Sequence, residues 1–228
     1  MAISRDNGGS MGTAERKERD RIRRQNEIID AAEEVFLVKG LEEATMDEIA
    51  EKAELSKGTL YIYFKSKEAL YMAISLRATS ALRRNFEEVL RTGENNEQLL
   101  MNLGRAYIEF AGKYPLYFRT MSFVETKEMN FDLGSDPIAR QCHEAGMGVL
   151  GILAQVIEEG QKEGCFYEEI DPWKTSIVLW ASGNGVIQME QNKGRHFQET
   201  HGFTNGFLVE EYMRFCARAL LVNHQNID

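Results

Sequence analysis

Residues 45–70 read TMDEIAEKAELSKGTLYIYFKSKEAL, and they decide the fold. Thr45 followed three residues later by Glu48 fits a capping box, in which hydroxyl and carboxylate each take up a backbone N–H left unpaired at a helix start. The spacing predicts a helix from about Met46 with Ile49, Ala50 and Ala53 on one face, stopping at Glu54-Leu55. Ser56 can cap a third short helix running through Ile62. Two short helices joined by a tight turn, with small Ala50 and Ala53 permitting close approach, make a helix-turn-helix.

Working toward the N-terminus, Ile28, Ala31, Ala32, Val35 and Phe36 recur at three- and four-residue spacing between Arg21 and Lys39. Gly40 follows where helices commonly stop in the left-handed conformation. This first helix braces the pair from behind. Residues 1–18 read as a flexible basic arm, because the first fifteen or so are Gly-, Ser- and Asn-rich without apolar periodicity. Nothing between Ala2 and Asp20 resembles the apolar segment of a signal peptide.

Working toward the C-terminus, Phe64 closes the small core. Ser66 caps a fourth helix carrying Leu70, Ile74, Leu82, Phe86 and Leu90 toward Thr92, long enough to join two domains. Beyond Gly93 the periodicity predicts helices at about 97–113, 115–124, 137–163, 172–191 and 206–223. Asp136-Pro137 and Asp171-Pro172 each place a capping Asp before a proline at the first helical position. With only three prolines and no polar–apolar alternation, the fold class is all-α with about nine helices. The domains expected are a helix-turn-helix domain at 19–67 and a larger helical one at 68–228.

Net charge is −9, which argues against a chain that coats nucleic acid indiscriminately, since phosphate neutralisation dominates such binding. Placement matters more than the total. Arg16, Lys17, Arg19, Arg21, Arg23 and Arg24 face only two acids within their run, and Ser56–Lys67 holds three lysines and no acid. The first cluster can track phosphates, enter a minor groove or be a solvated face.

A helix N-terminus directs unpaired N–H groups and a partial positive charge at whatever it faces, which suits phosphate. Lys57 and Thr59, in the first turn of the third helix, can reach base edges in a major groove. The phenols of Tyr61 and Tyr63 can donate to phosphate oxygens, with Lys65 and Lys67 adding charge at the rim. Tyrosines beside Phe64 are also compatible with ordinary packing, but the surrounding lysines favour DNA contact.

The bracing helix ending at Gly40, the capped TMDEIA helix, the Ser56–Phe64 segment SKGTLYIYF and the following KSKEAL resemble, in this order, the tetracycline-repressor (TetR) family of transcriptional regulators. The resemblance implies phosphate contacts from Thr45, Tyr61, Tyr63 and Lys67, and base reading by Lys57, Gly58 and Thr59. Gly58 offers only backbone. It further implies a ligand-responsive repressor that binds a palindromic operator, dimerises through its last two long helices and holds a small-molecule effector in the C-terminal domain.

Dimerisation also follows from size, since one short helix-turn-helix buries too little surface for operator specificity. Ala181, Ser182, Gly183 and Gly185 would let another helix approach, with Phe207, Phe215, Leu220 and Leu221 adding apolar area. The two glycines cost about 1 kcal/mol each within a helix; a close seam, space for ligand and a simple kink all account for them. For the effector, Tyr107, Phe110, Phe118, Met121, Met147 and Trp180 supply apolar surface, with His143, Asn184 and Gln188 as candidate polar groups. A helical core needs such apolar residues regardless of ligand.

Cys142, Cys165 and Cys216 form no C-x-x-C pair, and the four histidines are scattered, so neither disulfides nor a metal site is expected. No nucleophile–base motif or phosphate loop points to an enzyme, no cofactor is expected, and no apolar run is long enough to span a bilayer. A cytoplasmic location fits. The rival reading is a helical protein-interaction adaptor without sequence-specific DNA binding.

Overall fold

The computed structural model describes residues 9–126 and 136–222, the side chains of 9–11, 125 and 126 excepted. Among these residues lie nine helices: α1 (Gly9–Glu43), α2 (Met46–Lys52), α3 (Lys57–Tyr63), α4 (Lys67–Leu90), α5 (Asn96–Lys113), α6 (Pro115–Thr126), α7 (Pro137–Lys162), α8 (Pro172–His201) and α9 (Phe207–Leu220). The all-α class holds, and the β pairing found among them is an isolated antiparallel bridge between Phe166 and Leu221. No helix among the described residues is long and apolar enough to cross a membrane.

The chain divides after Ile74 into two compact units, and α4 contributes residues to both. In the first, Ile28, Ala32, Phe36, Ile49, Leu60, Phe64 and Leu70 form a core at 0–2% exposure. Helix α1 breaks at Gly40, whose φ of 75° is open to glycine and strained for other residues. The capping box of α2 is formed, with the Thr45 hydroxyl accepting from the Glu48 N–H and the Glu48 carboxylate from the Thr45 N–H.

The α2–α3 turn is a Schellman motif: Leu55 N–H donates to the Ala50 carbonyl at 2.8 Å and Glu54 N–H to that of Glu51 at 3.0 Å. Glu54 occupies its left-handed position at φ 54°. Ser56 then caps α3 by accepting from the Thr59 N–H at 3.1 Å.

Two elements run longer than the periodicity indicates. α1 begins at Gly9, so half of the segment expected as an arm is helical; residues 1–8 lie outside the described residues. Arg21, Arg23 and Arg24 pair with Glu18, Asp20 and Glu27 one turn away, an all-polar support that apolar spacing cannot register. α8 likewise continues ten residues past 191 through mostly polar Asn192–His201, with an Arg195–Glu199 pair at 2.8 Å, and stops at left-handed Gly202.

In the second unit, Leu82, Phe86, Leu103, Tyr107, Phe110, Phe118, Met121, Val149 and Val156 make the main core. Asp136 caps α7 and Asp171 caps α8 as their Asp-Pro pairs predict. Between these helices, Gln161 Nε2 donates to the carbonyls of Tyr167 and Ile170, both at 2.8 Å. Phe166 folds onto Gly160, where a Cβ would stand 2.2 Å from its ring. Helix α9 has no side-chain cap of its own at Gly206; the Glu190 carboxylate of α8 accepts from the Gly206 and Leu208 N–H groups instead.

Candidate nucleic-acid interface and internal cavity

Helices α2 and α3 and the start of α4 enclose a shallow depression lined by Thr45, Met46, Asp47, Lys57, Tyr61, Lys65, Lys67 and Glu68. Five of the residues expected at a DNA surface, Thr45, Lys57, Tyr61, Lys65 and Lys67, thus share one concavity. Gly58 lies exposed outside it, and a Cβ there would meet only Ser56 Oγ, at 4.0 Å. Thr59 is half-buried with its hydroxyl 2.8 Å from that of Ser56, and Tyr63 is half-buried.

All three lysines have partners within the chain. Lys57 Nζ stands 2.7 Å from Asp47 Oδ1, and this carboxylate holds the ammonium above the usual lysine range, by hydrogen bonding first and charge second. Lys65 Nζ donates to the Tyr61 carbonyl at 2.9 Å, closing the end of α3, and Lys67 Nζ donates to the Glu42 carbonyl at 3.0 Å. These groups are well exposed, so each link is weak and exchangeable for phosphate. Lys39 pairs with Glu48 and holds that carboxyl below its usual range, fastening the end of α1 to α2.

Sequence reasoning missed Asp47 and Glu68 as members of this surface. Asp47 belongs to the quoted capping box, but that nine intervening residues fold it onto Lys57 depends on the turn geometry. The acids partly offset the lysines, so the positive field is modest until Asp47 releases Lys57.

The second unit holds an almost wholly apolar cavity with walls from α5, α8 and α9 and contributions from Phe86, Leu153 and Phe166. Of the residues expected around a ligand, Tyr107 and Trp180 line it, their rings stacked at 4.8 Å between centroids. Asn184 is buried and accepts from the Tyr107 hydroxyl. Phe110, Phe118 and Met121 belong to the surrounding core and not to the wall. His143 and Met147 lie exposed on α7, and Gln188 is half-buried, all three outside this lining; helical spacing fixes a face but not which neighbour covers it.

Leu100, Gly104, Tyr212, Met213 and Cys216 are lining residues that the sequence reading left out. The last three sit on α9, which the sequence reading gave to dimerisation alone. The two glycines of α8 part company: Gly183 is buried on the cavity wall, where a Cβ would lie 3.8 Å from the Tyr212 ring, and Gly185 faces open space. On α8, Trp173, Ile177, Val178 and Met189 are exposed, and Phe215 of α9 is 70% exposed.

Comparison with known proteins fits this anatomy. The model for bacterial regulatory proteins of the tetR family matches residues 28–74, and that for the tetracyclin repressor-like C-terminal domain matches residues 100–204. The HTH-type transcriptional activator FasR of Mycolicibacterium smegmatis is 30% identical over 158 residues, covering 62% of this chain and 72% of that protein. The fatty acid metabolism regulator protein of Bacillus subtilis is 27% identical over 146 residues, 64% of this chain and 72% of that one. Among solved structures, FadR from Bacillus subtilis in complex with stearoyl-CoA shares the fold at a TM-score of 0.63 and 18% identity, across 85% of this chain and 97% of that one. With a relative at this identity covered over more than two thirds of its length, and both halves matched in order, the chain belongs to the TetR family of transcriptional regulators.

Proposed function

We propose that this regulator is a repressor that binds a palindromic operator as a homodimer and leaves it when a small, mostly apolar molecule fills the cavity between α5, α8 and α9. The observation that carries the DNA half is the gathering of Thr45, Lys57, Tyr61, Lys65 and Lys67 in one depression beside the first turn of α3. Lys57, Gly58 and Thr59 would read base edges, while Thr45, Tyr61, Tyr63, Lys65 and Lys67 hold phosphates.

The dimer would form through α8 and α9, whose exposed Trp173, Ile177, Val178, Met189 and Phe215 otherwise face water. The effector half draws on the apolar cavity and on the relatives, one a fatty acid metabolism regulator and one a fold relative in complex with stearoyl-CoA. Coupling would run along α4, which is buried at Leu70 in the DNA-binding unit and lines the cavity at Phe86. Release requires the effector to bind the two states with unequal affinity.

The test is selection of bound sequences from a random duplex pool, then titration of wild type and Tyr63→Ala at two salt concentrations. A palindrome with half-sites about one helical turn apart or a multiple of it, weakened by the substitution, is the expected result. No enrichment, and no binding at low salt, would sink the proposal in favour of a protein-binding role.

A further inference from the structure

Helix α3 turns one face to water, made of Lys57, Gly58, Tyr61 and Ile62, and Lys65 extends it just past the helix end. Its inward side is filled by Leu60, and Phe64 follows at 2% exposure, so the core of the unit is complete without Ile62. Ile62 is 72% exposed and is the one aliphatic side chain that α3 leaves in water. A lone exposed aliphatic residue is ordinary on a protein surface, so its position has to decide what it does.

Gly58 and Ile62 stand one turn apart and are neighbours on that face. Gly58 adds no bulk, so a surface meeting α3 can come up to its backbone and takes the branched Ile62 side chain along with it. Hydrogen-bond donors for bases are few here. Thr59 is half-buried with its hydroxyl 2.8 Å from Ser56 Oγ, and Lys57 Nζ reaches a base only by leaving Asp47, 2.7 Å away. Lys65 Nζ turns back to the Tyr61 carbonyl.

Polar contacts from this face therefore distinguish few base pairs, and another source of discrimination is needed. Against a phosphate an aliphatic side chain would only strip water from an anion. In the major groove it has a complement, the 5-methyl group of thymine, which no other base presents.

We propose that Ile62 is a specificity-determining residue that reads thymine by packing on its 5-methyl group, so that each operator half-site carries a thymine opposite the Gly58–Ile62 face. The proposal rests on the operator binding proposed above, with the first turn of α3 at the base edges.

The test uses the full-length protein and the palindrome selected from the random duplex pool. Each thymine is replaced in turn by deoxyuridine, in both half-sites together, which removes the methyl and leaves the pairing and the O4 acceptor in place. Wild type and Ile62→Ala are titrated with every duplex at one salt concentration. One symmetric thymine pair should respond in wild type, by about fourfold for each methyl and about fifteenfold for the pair, the value of one buried carbon at each contact. Ile62→Ala favours the helix and empties no core position; it should bind the thymine and uracil forms of that duplex equally, with its response at other positions as in wild type. A merely structural role for Ile62 would lower affinity for all duplexes alike. Half-sites that share no thymine, a uracil scan that is flat in wild type, or a methyl effect that survives Ile62→Ala would each overturn the assignment and leave operator binding standing. A pool without an enriched sequence would overturn it together with the reading on which it rests.

Discussion

Asp47 Oδ1 and Lys57 Nζ stand 2.7 Å apart across the helix-turn-helix, so in the free protein the first side chain of α3 is directed at an acid of α2. If Lys57 contacts DNA as proposed, binding must exchange this partner for phosphate or a base edge. Asp47→Asn removes both the competitor and a negative charge from the surface that meets DNA. Operator affinity should rise about two- to fivefold at low salt, an effect kept small by the exposure of both groups and shrinking as salt is raised. An unchanged or lower affinity in a filter-binding titration would show that the pair positions Lys57 instead of withholding it.

Glu54 is held at φ 54° by the Schellman turn between α2 and α3, a conformation costing a non-glycine residue about 1–2 kcal/mol. Glu54→Gly relieves that cost and gives back part of it through a more flexible unfolded chain. A net stabilisation of about 0.5–1 kcal/mol is expected in denaturant unfolding of the helix-turn-helix unit. A loss of stability would mean that the Glu54 side chain makes a contribution larger than the strain.

The helix-turn-helix was legible in the sequence because its signals are local. Thr45 and Glu48, the stop at Glu54, Ser56 and Gly40 each act within a few residues, and each appears in the structure. The cavity was only half legible. Tyr107 and Trp180 were named for their type, but whether an apolar face of α9 meets α5, a ligand or a second copy depends on how distant elements stack, and no period records that. Mostly polar helix ends such as Asn192–His201 were invisible for a related reason: an Arg195–Glu199 pair and the packing of the single Phe197 on Phe207 leave no apolar period to read.

Among the six basic residues of α1's first half, Arg21, Arg23 and Arg24 are paired with acids one turn away, whereas Arg16, Lys17 and Arg19 are in no ion pair among the described residues. If this helical extension tracks the DNA backbone, the second set does so at no cost in broken pairs. Replacing Arg16, Lys17 and Arg19 together by alanine should weaken binding and lower the slope of log K against log salt by about two to three. An unaltered slope would assign the extension to solvent.

Gly183 lines the cavity, and Gly185, two residues on in the same helix, faces open space. Alanine at either position should stabilise α8 by up to about 1 kcal/mol. The added methyl at Gly183 would sit 3.8 Å from the Tyr212 ring, an ordinary contact that fills cavity space without a clash. The methyl at Gly185 would project into open space on the face proposed for the partner subunit. Gly183→Ala should therefore weaken binding of N-phenyl-1-naphthylamine, a neutral apolar dye, several-fold and leave the dimer intact, and Gly185→Ala should weaken self-association and spare the dye site. Dye titration and sedimentation on both variants read the two effects separately. The opposite pairing of outcomes would exchange the roles of the two faces, and with them the assignment of α8 and α9 as both wall and seam.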